Sequence, residues 1–350
     1  MSLRKRIFGS VFAIVILAAL FSAWRLLGPA TAFSGEKYYL YIGTGMKYEE
    51  VLDRLERDTV LESPAFFKWV ADRVDYPRNV KAGKYEIRKG MNLLNIVRIL
   101  RNGRQVPVHL IITKLRTPEN LASFIGKHFE CDSVSAMAYF RNNDSLKEYG
   151  LDSNTFLTAV LPNTYTFFWN TTPSAIFRKI RSTYTLFWTP ARKTAAAIRG
   201  LNPTTAYILA SIVEEETNKQ DDKPKIASVY LNRMAKGMKL GADPTVKYAL
   251  HDFELKRIYD KYLQVESPYN TYKHAGLPPG PICTPSEQTL DAVLSSPQTD
   301  YLYFVAKPDF SGYSNFAATY EEHLQNAREY QKALDEQMAI RAASEKAARK

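Results

Sequence analysis

The chain has 350 residues, a formal net charge of +11 and a hydrophobic fraction of 45%. This length corresponds to about two or three domains, and the apolar fraction supports real hydrophobic cores. The positive charge fits a nucleic acid, an anionic membrane surface or an acidic polymer, and charge alone does not choose among them. Cys131 and Cys283 stand alone, which excludes a zinc site built on cysteine pairs. A disulfide between them and two free thiols both remain open.

A basic cluster at residues 4–6 precedes an uncharged run over residues 7–24. Such a run is typical of a membrane-spanning helix, and basic residues before it keep the N-terminus in the cytoplasm. We therefore predict a cytoplasmic segment at residues 1–6 and a signal anchor at residues 7–27, with the rest of the chain exported. A cleaved signal peptide with a weak site within residues 28–32 is the alternative. Either way, export removes cytosolic nucleic acid as a partner.

Residues 28–37 are predicted to be a linker, and residues 38–112 a small α+β module. Alternating apolar residues and capping residues predict its elements in order: strand 38–42, helix 48–57, a helix capped by Ser63, strand 81–87, helix 93–100 and strand 106–112. Aromatic side chains such as Phe66 and Trp69 suit a core, and they also suit a ligand platform.

The remaining chain is predicted to be a mostly helical α+β domain over residues 113–335, followed by a charged tail at residues 336–350. Its pattern indicates these elements: helices within 117–198, an aromatic-rich connection at 161–169, a helix at 223–236 stopped by Gly237, a turn at 243–245 that leads into a helix, a loop rich in proline and glycine at 267–281, a buried strand at 301–305 and a charged helix from 320.

The central feature is a helix that begins at Asn202 and Pro203, a capping residue followed by proline at the first helical position. Residues 206–213 continue it without a charge, which is typical of a buried helix. The acidic run Glu214, Glu215 and Glu216 follows directly.

At a helix C-terminus the dipole disfavours anions, and partial burial raises the pKa of a carboxyl group. Helical spacing places Glu216 on the same face as Leu209, Ile212 and Val213, so Glu216 is the glutamate we expect to face inward. The alternative is an acidic helix end that simply faces water.

Five blocks of sequence, in this order, resemble the endolytic murein transglycosylases of the YceG-like family. They are Leu209–Thr217, Ala227–Met234, Asp243–Tyr248, Ser267–Tyr272 and Gly276–Ile282. The resemblance extends over about residues 38–333, because residues 81–103 resemble the LysM-like subdomain of that family. It implies an enzyme of the lyase class without cofactor or metal, anchored in the bacterial inner membrane and active on peptidoglycan glycan strands outside the cytoplasm. Peptidoglycan synthases (penicillin-binding proteins) would be possible partners.

The resemblance further implies that Glu216, the glutamate directly before Thr217, is the catalytic acid. The supporting or substrate-binding residues it implies are Glu214, Asp222, Asn232, Arg233, Asp243, Thr245, Tyr248, Tyr269, Asn270 and Tyr272. Three positions depart from the family pattern: Glu215 replaces a common lysine, Asp222 a glutamate and Tyr313 a histidine. We expect Glu215 to make the site more negative and to raise the pKa of Glu216.

The implied reaction cuts the β-1,4 bond between N-acetylmuramic acid and N-acetylglucosamine within a strand and leaves a 1,6-anhydromuramyl end. It needs one carboxyl group, whereas an ordinary glycosidase needs two. Two alternatives remain open at this point. One is a hydrolytic muramidase with Glu214, Asp222 or Asp243 as its second carboxylate, and the other is an inactive peptidoglycan-binding protein.

Overall fold

The computed structural model describes the backbone of residues 3–348, and the side chains except those at 3–7, 18–19, 25, 342–343 and 345–348. The chain forms two compact units. The first contains residues 1–110, 126–132 and 166–172, and the second contains residues 111–125, 133–165 and 173–350. The second unit thus includes all the residues implied for the catalytic site.

The first helix, α1, covers Leu3–Leu27 and includes the predicted membrane anchor at residues 7–27. No helix in the described part of the chain is long and apolar enough to cross a membrane. The prediction of a transmembrane helix is therefore not supported. The predicted cytoplasmic segment at residues 1–6 lies outside the described side chains.

The first unit is a small α+β arrangement, as the sequence predicts. After α1 its elements are β1 (Lys37–Ile42), α2 (Tyr48–Arg57), α3 (Pro64–Arg73), β2 (Gly83–Arg88) and α4 (Leu93–Asn102). Strands β1 and β2 pair antiparallel, with Leu40 opposite Tyr85. Both of these side chains are fully buried. Strand alternation thus places one face of the ribbon in the core with the helices.

Strand β3 (Val108–Ile112) pairs with β4 (Asn163–Phe167), so the predicted aromatic connection contains a strand. The helices of the second unit are α5 (Pro118–His128), α6 (Ser133–Arg141), α7 (Asn143–Lys147), a 3-10 helix (Phe156–Ala159), α8 (Pro173–Phe187), α9 (Pro190–Ile198), α10 (Pro203–Glu216), α11 (Lys223–Ala235), α12 (Asp243–Leu250), α13 (Asp260–Leu263), α14 (Glu287–Leu294) and, after β5 (Tyr303–Ala306) and β6 (Ser314–Ala317), α15 (Tyr320–Ala348).

Helix α10 is the centre of the second unit. Residues 206–213 are all buried, and the helix packs against α9, α11, α12 and α14. At its start the Asn202 side chain accepts a hydrogen bond from the Thr205 amide, and the Thr205 hydroxyl accepts one from the Asn202 amide. Such reciprocal capping satisfies amides that the helix leaves unpaired. The predicted cap and the predicted buried helix are both confirmed.

The C-terminal part of the second unit differs from the prediction. The strand predicted at residues 301–305 is β5, which pairs antiparallel with β6. It is half-buried rather than buried, because a two-stranded ribbon covered on one side keeps its other side accessible. Helix α15 packs on both strands and continues to Ala348, so the described part of the predicted tail is helical.

Candidate active site

Three consecutive glutamates end α10, and the structure gives each a different environment. Glu214 is held by the ammonium group of Lys223 at 3.0 Å, by the Ser286 hydroxyl at 3.1 Å and by the Thr289 hydroxyl. Burial alone would raise the pKa of this carboxyl group, but the Thr289 and Lys223 hydrogen bonds outweigh it and the pKa is lowered. Glu214 therefore stays ionised and serves as a structural anion.

Glu215 lies between two cations. Lys114 Nζ is 2.9 Å from its Oε1, and Arg116 Nη2 is 3.1 Å from its Oε2. Burial opposes ionisation, yet these two contacts lower the pKa of Glu215. Its charge is thus neutralised locally. The expectation that Glu215 raises the pKa of Glu216 is not met: the carboxylate that does so is Asp243.

Glu216 has no cation in hydrogen-bond contact among the described residues. Its Oε1 accepts a hydrogen bond from the Tyr230 hydroxyl. Burial raises the pKa of Glu216 to about 7, helped by the charge of Asp243 and opposed by the Tyr230 hydrogen bond, Lys247 and Arg233. A carboxyl group with this pKa holds and releases a proton near neutral pH.

Glu216 lines a cavity of about 390 Å³. Tyrosines and charged groups dominate its lining, which consists of Glu216, Tyr230, Arg233, Leu240, Gly241, Asp243, Tyr272, Tyr303, Phe304, Tyr320 and His323. These residues come from the end of α10, from α11, from the turn before α12, from the proline- and glycine-rich loop, from β5 and from α15. The cavity thus places one protonatable carboxyl group among aromatic rings and hydrogen-bonding groups.

Asp243 is the second carboxylate in the cavity. Its Oδ1 accepts a hydrogen bond from the Tyr272 hydroxyl at 2.6 Å. Gly241, just before it, has φ +57°, and a Cβ there would lie 3.5 Å from Arg233 Nη1 and 3.6 Å from Tyr272 Cε1. These are ordinary contact distances, so the left-handed backbone is what favours glycine at this position.

Of the residues implied by the resemblance, Glu216, Arg233, Asp243 and Tyr272 line this cavity. Tyr248 and Tyr269, whose ring centroids are 4.6 Å apart, line a different cavity of about 210 Å³ instead. Tyr248 and Tyr269 therefore do not line the Glu216 cavity, and their implied supporting or substrate-binding role stays a prediction.

The other implied residues brace the backbone. Asn270 is fully buried and donates to the carbonyls of Leu263 and Val265, both at 2.9 Å. Its neighbour Thr271 contacts the Thr245 hydroxyl at 2.9 Å, beneath the turn that carries Asp243. These contacts fix the loop at residues 267–281 although it has no helix or strand.

Asn232 and Asp222 also act on backbone groups. Asn232 donates to the carbonyls of Thr299 and Tyr301, at 2.7 and 2.9 Å. Asp222 Oδ2 accepts from the Ser314 amide at 2.7 Å, which ties β6 to the start of α11. Neither side chain lines the Glu216 cavity.

Several residues that line the Glu216 cavity were not predicted from the sequence. Tyr230 lies within the helix predicted at residues 223–236, where nothing in the local pattern marks it as a partner of Glu216, yet its hydroxyl donates to Glu216. Tyr320 and His323 lie at the start of the charged C-terminal helix, which suggested solvent exposure. A Tyr and a His one turn apart were the available signal, and only the packing of α15 on β5 shows their location.

A mostly helical α+β unit with one proton-exchanging carboxyl group in a polar, aromatic cavity has the arrangement of an acid–base enzyme. The chain belongs to the YceG-like family, whose model matches residues 40–329.

Named relatives agree with this assignment. The chain is 28% identical over 337 residues to the endolytic murein transglycosylase of Bacillus subtilis, covering 91% of each protein. It is 25% identical to that of Streptococcus pneumoniae, covering 91% of this chain and 65% of the relative. It also resembles the crystal structure of a YceG-like protein from Listeria monocytogenes, with a TM-score of 0.55, 29% identity, and coverage of 83% of this chain and 99% of that one.

Proposed function

We propose that this chain is an endolytic murein transglycosylase, with Glu216 as its single acid–base catalyst. The observation that carries the proposal is the contrast within the acidic run. Glu214 and Glu215 are ion-paired, whereas the pKa of Glu216 is raised to about 7 by burial. The names of the relatives supply the substrate and the reaction class.

In the first step, protonated Glu216 donates its proton to the glycosidic oxygen that joins C1 of N-acetylmuramic acid to C4 of N-acetylglucosamine. The bond from C1 to this oxygen breaks, and the positive charge is shared by C1 and the ring oxygen. The Tyr230 hydroxyl is bonded to Oε1, so Oε2 is the oxygen that carries the proton. Burial keeps this proton in place near neutral pH, which suits general acid catalysis.

In the second step, the muramyl C6 hydroxyl attacks C1 and its proton passes to the Glu216 carboxylate. The ring closes as a 1,6-anhydro sugar, no water is consumed, and Glu216 is again protonated. The Tyr230 hydrogen bond supports the transient carboxylate between the two steps. One carboxyl group therefore suffices for the cycle.

A hydrolytic muramidase is the second candidate, because Asp243 lines the same cavity as Glu216. In that reaction a second carboxylate activates water or attacks C1. Glu214 and Asp222 do not suit this role, since Lys223 and the Ser314 amide occupy them. Asp243 is thus the residue on which the hydrolytic candidate depends.

Digestion of purified sacculi in heavy-oxygen water separates the two candidates. The transglycosylase leaves unlabelled anhydromuramyl ends that borohydride does not reduce, each one water lighter than a hydrolytic end. Mostly labelled, reducible ends would establish hydrolysis instead. The size of the early products tests the endolytic part: strand fragments agree with internal cuts, and single disaccharides at the first time points contradict them.

We further propose that residues 38–112 act as a LysM-like module that adds glycan affinity. Deleting residues 38–102, which leaves β3 and its pairing with β4 in place, is expected to weaken sacculus binding and slow cleavage of polymer while leaving cleavage of short soluble strands intact. The short strands act as the folding control. Equal sacculus binding with and without these residues would assign the module another role, such as a spacer or a docking site for a peptidoglycan synthase.

The location follows from the proposed substrate, because peptidoglycan lies outside the cytoplasmic membrane. We propose that the residues after 28 work on that side. A reporter fused after residue 60 is expected to be active only when its activity requires export. Activity of a strictly cytoplasmic reporter at that position would contradict the proposed location.

A further inference from the structure

The Glu216 cavity contains a fixed cation that the proposed proton transfers do not use. Arg233 Nε donates to the Leu302 carbonyl at 2.7 Å, and Nη1 donates to the Leu240 carbonyl at 2.6 Å. These bonds fix the guanidinium plane, 5.3 Å from the centre of the Tyr303 ring. Among the described residues no carboxylate pairs with Arg233 and Nη2 has no acceptor. Nη2 is therefore available to a ligand.

His323 adds a second donor in the same cavity. Its ring stacks on Tyr303, with centroids 5.2 Å apart and planes at 22°. Burial and the nearby charge of Arg233 lower the pKa of His323, so the ring is neutral at pH 7. Nδ1 is buried and has no hydrogen-bond partner among the described residues. Buried N–H groups without an acceptor are rarer in proteins than buried acceptors without a donor. The proton is therefore assigned to Nε2, which is not among the buried atoms that lack a hydrogen-bond partner.

Neither donor can also accept a hydrogen bond, because Arg has no acceptor atom and a neutral His with Nε2 protonated accepts only at Nδ1. The complementary ligand atom is an oxygen that only accepts, such as a carbonyl or carboxylate oxygen. A sugar hydroxyl fits less well, since its own proton would need a further acceptor. Both groups contact the Tyr303 ring, whose centre is 5.3 Å from the Arg233 guanidinium carbon and 5.2 Å from the centre of the His323 ring.

We infer that Arg233 Nη2 and His323 Nε2 bind an acyl oxygen of the muramyl unit and so hold that unit beside Glu216. Two groups of this sugar supply such an oxygen: the 2-acetamido group and the 3-O-lactyl group. This inference rests on the proposed function, because it names a binding contact for the same substrate. Arg233 and His323 are substrate-binding residues in this scheme, and they take no part in the proton transfers.

The test uses the full chain with Glu216→Gln as the parent, so that ligands are bound and not cut. Binding is measured by calorimetry with four soluble oligosaccharides of equal length. The first alternates N-acetylmuramic acid and N-acetylglucosamine, the second is its N-deacetylated form, the third is a chitooligosaccharide, and the fourth is a chitosan oligomer without acyl groups. The second retains only lactyl groups and the third only acetamido groups, so the pair separates the two sources.

The informative variant is His323→Phe, which keeps a ring against Tyr303 and removes Nε2. The loss of one hydrogen bond is expected to weaken binding of the alternating strand about fivefold. His323→Gln, which restores an amide donor near that position, is expected to recover most of the affinity. The matched control is His274→Phe, since His274 is an exposed histidine of the loop at residues 267–281 and does not line the cavity.

The pattern of affinity loss across the four ligands identifies the acyl group that is bound. A loss on the alternating strand and the chitooligosaccharide assigns the acetamido group, and a loss on the alternating strand and its N-deacetylated form assigns the lactyl group. Unchanged affinity in His323→Phe, or an equal loss on chitosan, would overturn the inference while the proposed function stands. A parent that binds none of the four ligands would overturn both the proposed substrate and this inference.

Discussion

The carboxyl groups on two sides of the last turn of α10 have opposite pKa shifts. On one side, Glu214 and Glu215 contact Lys223, Lys114 and Arg116, and their pKa values are lowered. On the other side Glu216 accepts a hydrogen bond from the Tyr230 hydroxyl and has no cation within hydrogen-bond distance in the described part of the chain, and burial raises its pKa to about 7. The three glutamates share one helix end, so the difference in their pKa values comes from the side chains that the tertiary structure packs against each of them.

The largest expected effect comes from exchanging the acid itself. Glu216→Gln is expected to fold normally and to lose cleavage of sacculi by about 10²–10⁴-fold, because the amide neither donates nor takes the proton. Glu215→Gln is the matched control and is expected to keep most activity. Release of anhydromuramyl products measures both variants. Similar losses of cleavage in the two variants, or an active Glu216→Gln, would contradict the assignment of Glu216 as the catalytic acid.

The next effect concerns stability on the ion-paired side. The Lys223 side chain is 4% exposed and that of Glu214 is 14% exposed, so Lys223→Met leaves a nearly buried carboxylate without its cation. The expected loss is about 3 kcal/mol in the free energy of unfolding, measured by urea denaturation. Lys114→Met is the control, because Lys114 is 35% exposed and its loss is expected to cost under about 1 kcal/mol. Equal losses would contradict the assigned burial.

The raised pKa of Glu216 also predicts a stability difference with pH. The folded protein keeps this proton up to about pH 7, whereas the unfolded chain releases it near pH 4.5. Stability is therefore lost as the pH rises between these values, by about 3 kcal/mol relative to Glu216→Gln, from 1.36 kcal/mol per pH unit. Denaturation of both proteins at several pH values measures it. Parallel curves would show that Glu216 has an ordinary pKa.

A smaller effect is expected from Tyr230→Phe. The Tyr230 hydrogen bond lowers the pKa of Glu216, so its removal raises that pKa further. Since protonated Glu216 starts the reaction, activity falls as pH rises through this pKa, and the variant's fall is expected to begin at higher pH. The maximal rate is expected to drop about three- to tenfold. The control is Tyr269→Phe, which is expected to leave the pH profile unchanged; a downward shift in Tyr230→Phe would contradict the hydrogen bond.

Local signals in the sequence predict much of the fold. Asn202 and Pro203 predict where α10 begins, and the uncharged run after them predicts its burial, because capping and periodicity act over a few residues. The half-buried state of β5 was not predictable, since it depends on how α15 covers the ribbon. The helix end at residues 214–216 was predicted as acidic, and its division into paired and unpaired glutamates was not.

In the candidate site too, local sequence signals were predictive and tertiary contacts were not. Helical spacing alone indicated that Glu216 faces inward, because that argument needs only the geometry of one helix. The resemblance implied Asn270 and Thr245 as supporting or substrate-binding residues, and only the structure shows that they brace the loop at residues 267–281 and the turn that carries Asp243. His323 was not predicted, because its place depends on the packing of α15 on β5, a tertiary contact that local sequence patterns do not reveal.

Helix α15 has a practical consequence for labelling this protein. Tyr320 and His323 in its first turn line the Glu216 cavity, and the same helix continues to Ala348. At 1.5 Å per residue, its far end lies about 35–40 Å along the helix axis from His323. A fluorophore or an affinity tag attached there is therefore linked to the cavity by a single helix and well separated from it.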